Sequence, residues 1–283
     1  MMHPFELLAE PLHAVFMQRA MIAVILVGAV CAVVGTYVVL RGMAFLGEAL
    51  SHSILPGVAV GYLIHGPATF ALFWWSLGTA LATAIGIGAV SRRTQLKEDT
   101  AIGIIFAGMF ALGIALISTM RGYAADLTHI LFGNVLAVGP RDIWLIGIFG
   151  GLALLAVALL YKELLVVSFD PILAATLRLP AAALHYLLLL LIAMAVVVSM
   201  QAVGVALMLA MLVTPPATAY LLVRRLKPMM LCAACLGSFS GIAGLYLSYY
   251  FDMASGAAIV LVSTAFFLLA LIFSPRRTAL RKG

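Results

Sequence analysis

Apolar residues fill long unbroken stretches of this chain, and polar residues collect in the short gaps between them. Nine apolar runs can be read, at roughly 20–40, 43–64, 68–90, 101–120, 143–161, 184–200, 202–222, 229–251 and 254–273. A helix crossing the hydrocarbon core of a bilayer needs about 20 consecutive apolar residues, so each run predicts a membrane span. The two weakest divisions lie between 184–200 and 202–222 and around Pro56-Gly57, and one re-entrant segment would leave eight spans. Gly and Pro inside the runs do not argue against helices, because neighbouring helices can satisfy the freed backbone groups. The expected fold is therefore all-α, a polytopic transmembrane bundle of eight to nine spans.

No fixed-period repeat, low-complexity linker or composition shift divides the chain, so 19–283 is expected to form one transmembrane domain. Ahead of it, in 1–18, Phe5, Leu8, Leu12 and Phe16 recur at helical spacing beside Glu6 and Glu10, with no Lys or Arg. A secretory signal would begin with positive charge. An amphipathic helix lying in the membrane interface is the better reading.

Composition narrows the class. Of 283 residues, 65% are apolar and only 9% charged, and the mean hydropathy is +1.22. Soluble domains run near half apolar and a quarter charged, which excludes a soluble enzyme, a disordered protein and a nucleic-acid binder. The net charge of +6 is then a matter of sidedness. Lys and Arg concentrate in short cytoplasmic loops. With nine spans and an outside amino terminus, thirteen of the sixteen basic residues fall on one side and only Arg19, Arg121 and Arg141 on the other. Ser91–Thr100, Tyr161–His185, Arg224–Pro228 and the carboxyl terminus are expected in the cytoplasm. Cys31, Cys232 and Cys235 lie in apolar sequence and read as small packing residues; the spacing of the last two is only superficially that of a redox dithiol.

Within all nine runs there is a single Asp, Glu, Lys or Arg, namely Glu48. A carboxylate at bilayer depth costs about 2.5–3.5 kcal/mol on insertion scales and is a functional hypothesis by default. His52 follows one helical turn later, so the two side chains share a face. Carboxylate and imidazole suit zinc, iron and manganese, but two ligands make an incomplete shell. A twofold dimer would supply two of each and close a four-ligand site on its axis. The spacing fits equally a structural Glu–His pair that joins helices. Ser51 beside His52 does not make a hydrolase nucleophile, since adjacent helical residues diverge and no further catalytic group accompanies them. Asp126 and His129, in the stretch expected outside, could hold a metal weakly at an entrance, though a solvated loop pair is the simpler reading. His3, His13, His65 and His185 carry no specific signal. None of the four lysines follows a glycine, so the Gly-Lys-Ser/Thr of a nucleotide-binding loop is missing and any ATP hydrolysis belongs to another chain.

The stretch Leu40-Arg41-Gly42-Met43-Ala44-Phe45-Leu46-Gly47-Glu48-Ala49-Leu50-Ser51-His52-Ser53-Ile54-Leu55-Pro56-Gly57 resembles the membrane permeases of the manganese/zinc/iron ABC importers, the ABC-3 family. The similarity continues through Gly103-Ile104-Ile105-Phe106, Leu131-Phe132-Gly133-Asn134, Phe169-Asp170-Pro171, Val203-Gly204-Val205-Ala206-Leu207, Thr214-Pro215-Pro216-Ala217-Thr218-Ala219 and Ser255-Gly256-Ala257-Ala258-Ile259-Val260, in order along essentially the whole chain. The resemblance implies a type II-like importer pore in a prokaryotic plasma membrane. It also implies a homodimer, two cytoplasmic ATP-binding subunits and an extracytoplasmic metal-binding protein, with no permanent cofactor and a divalent metal ion as cargo. Its membrane metal site maps to Glu48 and His52, where members more often carry Asp at the first position.

The family match also points to the ATPase contact, a coupling helix near 170–180. Asp170 before Pro171 reads as an N-cap followed by proline at the first helical position, opening a short cytoplasmic helix from Ile172 to Leu179 with Leu173 and Leu177 on its apolar face. A bare connector is the plain alternative. A different class of function, a proton-coupled secondary carrier working through Glu48 and His52, also places carboxylate and imidazole one turn apart.

Overall fold

The structure is a computed structural model that describes residues 10–66, 69–94, 96–119 and 135–274. The described residues are helical throughout, with no strand among them. A 3-10 turn at Glu10–His13 leads into α1 (Val15–Leu40). Then follow α2 (Leu46–Ser53), α3 (Leu55–His65), α4 (Thr69–Arg93) and α5 (Glu98–Ser118). Next, α6 (Pro140–Leu159) contains one π turn at Ile146–Gly150. The short helices α7 (Tyr161–Phe169) and α8 (Pro171–Thr176) precede α9 (Ala181–Val203), α10 (Val205–Leu222), α11 (Leu226–Phe251) and α12 (Ser255–Phe273).

Eight of these, α1, α4, α5, α6 and α9 to α12, are long and apolar enough to cross a membrane. The expected run at 43–64 is instead divided into α2 and α3, which together cover 46–65 with Ile54 between them. The cause is Pro56. It has no N–H to give the carbonyl of His52 four residues earlier, so the ladder breaks at the turn that carries His52. The other doubtful division is real: Gly204, at φ 87°, separates α9 from α10. Of the expected amino-terminal segment, residues 1–9 lie outside the described residues, and Phe16 belongs to α1.

The chain forms two compact units. One comprises 1–39, 132–151 and 198–283. Here α10, α11 and α12 pack against one another, and α1 crosses α11 with glycine on glycine. A Cβ added to Gly28 would stand 2.8 Å from the backbone carbon of Gly237, the close approach by which apolar helices associate where water supplies no driving force. The second unit comprises 40–131 and 152–197. In it α2 and α3 pack on α4 and α5, and α4 packs on α5. This second unit holds every site residue that the sequence singled out and the structure describes.

Candidate functional site

Glu48 lies in the first turn of α2 and His52 in its last. Apolar neighbours decide which way they face: Leu46, Ala49 and Leu50 are completely buried, while Ala44, Phe45 and Glu48 are exposed and His52 half-buried. The helix turns Glu48 outward from its own unit. Neither the carboxylate nor the imidazole has a hydrogen bond or ion pair among the described residues, so both sets of ligand atoms are uncommitted. The Glu–His structural pair that the spacing also allowed is therefore not formed. No third His, Cys, Asp or Glu joins the two into a metal-holding group among the described residues. Ser51, which the sequence set aside as a nucleophile, is buried and spends its hydroxyl on the carbonyl of Glu48 at 2.8 Å.

What surrounds His52 was not visible in the sequence. Its ring meets Phe110 edge-on at 5.8 Å and tilts against Phe106 at 6.3 Å, both from α5. Phe106 also receives Phe45 at 5.6 Å. Gly113, one turn beyond Phe110, lets α5 come this near: a Cβ there would stand 2.6 Å from the Cβ of Leu55. The only hint available beforehand was the i, i+4 spacing of the two phenylalanines, which puts them on one helix face.

A second polar cluster stands at the end of the unit where α1 finishes and α5 and α9 begin. Arg41 Nη2 donates to Glu98 Oε1 at 2.7 Å and to His185 Nδ1 at 3.0 Å. His185 is 7% exposed. The histidine that carried no signal is thus a buried acceptor for an arginine 144 positions away.

Further along, the expected N-cap is formed. Asp170 Oδ1 accepts the backbone N–H of Leu173 at 2.9 Å, with Pro171 opening α8. The helix ends at Thr176, short of the expected Leu179. Arg178 adopts a left-handed φ of 52°, and the N–H of Leu179 turns back to the carbonyl of Ala174 at 3.0 Å. Two backbone bonds of this kind close the helix C-terminus. Phe169, Ile172, Leu173 and Leu177 are exposed around it, Ile172 to 81%. Asp126 and His129 lie outside the described residues.

Comparison with known proteins gives consistent matches. The model of the ABC 3 transport family matches residues 13–274. The chain is 48% identical over 267 residues to the manganese transport system membrane protein MntC of Halalkalibacterium halodurans, covering 94% of this chain and 90% of that one. It is 41% identical over 268 residues to the manganese import system permease protein ScaB of Streptococcus gordonii, covering 94% of each. Among solved structures it superposes on PsaBC from Streptococcus pneumoniae, a complex with Fab, with a TM-score of 0.83 and 38% identity over 99% of both chains.

Proposed function

The chain belongs to the ABC 3 transport family, and on that premise we propose that it is the membrane-spanning permease subunit of an ATP-driven importer for a divalent transition metal, manganese foremost. The observation that carries the metal reading is the outward-facing pair on α2: one carboxylate and one imidazole, a turn apart, with uncommitted ligand atoms and no third ligand in the described chain. A second copy of the chain completes the shell with its own pair. The open face of α5 supports such pairing. Gly103, Ala107, Ala111 and Ala115 recur there every four residues, and the last three are exposed; small residues at this spacing allow close helix approach in a membrane.

Each copy supplies two ligands, so the ion sits between copies in mixed oxygen and nitrogen coordination. Glu48 neutralises part of its charge with an oxygen donor that suits manganese, and His52 adds a nitrogen donor that suits iron and zinc. Affinity stays modest, because a conducting site must also let its ion go. ATP is hydrolysed by two cytoplasmic subunits that engage the apolar surface of α8, and an extracytoplasmic protein delivers the ion. The complex resides in a prokaryotic plasma membrane. Family membership favours this reading over a self-sufficient carrier.

The test is manganese uptake by the complex reconstituted in vesicles. Glu48→Ala and His52→Ala each abolish uptake while the complex assembles normally, since neither side chain makes a hydrogen bond or ion pair among the described residues. Wild-type uptake in either variant would overturn the metal site, and uptake by the purified chain without ATPase subunits would replace the permease with the carrier.

A further inference from the structure

Metal-binding histidines almost always donate their second ring N–H to a carboxylate, a backbone carbonyl or water, which fixes the ring and raises its basicity. His52 has no such partner among the described residues. What holds its ring is aromatic. Phe110 presents at 76° and 5.8 Å, and Phe106 at 51° and 6.3 Å. These two rings are stacked on each other at 5.6 Å with planes 28° apart. Phe45, the residue preceding α2, closes the cluster by meeting Phe106 at 87° and 5.6 Å. The cluster therefore starts and ends on the segment that bears the ligands, and α5 is the wall between.

We propose that Phe106 and Phe110 are positioning residues for His52, their rings setting the plane of the imidazole. The proposal rests on the reading that Glu48 and His52 hold the cargo ion. Edge-to-face contacts restrict orientation through the ring quadrupole.

The experiment uses the complete complex, two copies with their ATPase subunits. Cobalt(II) is titrated into it and followed by visible absorption, and manganese uptake is measured in parallel. Phe110→Ala and Phe110→Leu each weaken cobalt binding by about three- to tenfold and shift its absorption band, while Phe110→Tyr, which keeps the ring, stays within about twofold of the parent. Phe106→Ala behaves as Phe110→Ala. Maximal uptake per assembled complex at saturating metal changes little. The proposal is overturned if Phe110→Leu matches the parent, if cobalt affinity is unchanged in the alanine variants, or if losses merely follow the amount of complex assembled. His52→Ala separates the two levels: full uptake in that variant defeats the metal site itself, whereas an inactive His52→Ala beside a Phe110→Ala of parental cobalt affinity defeats only the aromatic positioning.

Discussion

Arg41 stands one residue before Gly42, where a φ of 69° turns the chain out of α1. Its side chain is 12% exposed, and the guanidinium ties Glu98 to His185. Removing it leaves a half-buried carboxylate and a buried imidazole without their common donor. Arg41→Ala is expected to destabilise the protein by about 1–3 kcal/mol, between the values typical of exposed and buried pairs, read as a lower unfolding temperature in detergent. Glu98→Gln, which can still accept from Arg41, costs less. The sequence placed all three residues on one expected side of the membrane and still could not pair them, because positions 41, 98 and 185 share no local period. Glu48 and His52 were legible for the opposite reason, since a separation of four residues is itself geometry. The phenylalanines that meet His52 come from another helix, and only folding brings them there.

Helix ends were less legible than helix middles. Runs expected to begin at 101, 143 and 184 correspond to helices that begin at Glu98, Pro140 and Ala181. Hydropathy stops where charge begins, but the backbone ladder does not: Glu98 and Asp99 occupy the first turn of α5, where carboxylates favour the helix dipole. Likewise the break in the second run follows Ser53, because proline disrupts the bond to a residue four positions earlier. The short α8 shows an element held by its termini. Six residues do not sustain a helix in water, so the Asp170 cap and the Arg178 turn carry it, and its apolar side chains remain outward. If that surface docks an ATPase, Leu173→Glu and Leu177→Glu leave hydrolysis running while metal uptake falls away. Coupled hydrolysis at the parent rate in both variants would remove α8 from the mechanism.

At the scale of the whole molecule, the distribution of basic residues and the succession of helices make a joint statement about sidedness. Thr94, just past α4, is exposed, and it belongs with the carboxyl terminus on the expected cytoplasmic side. Single cysteines at Thr94 and Thr278, in a chain whose three native cysteines are replaced, should react only with reagents admitted to the interior. Modification of either from outside reverses the orientation. The outward-facing pair on α2 has a further consequence, a genetic one. If each copy contributes half of a shared site, a defective copy is not silent in a cell that also makes a sound one, because it recruits sound partners into spoiled pairs. With both alleles expressed equally and pairing at random, about a quarter of twofold pairs would be intact. A plasmid-borne His52→Ala allele should accordingly act as a dominant inhibitor, depressing manganese accumulation in cells that keep their normal chromosomal copy. Recessive behaviour, with accumulation untouched at equal expression, would mean that each chain carries its ion alone.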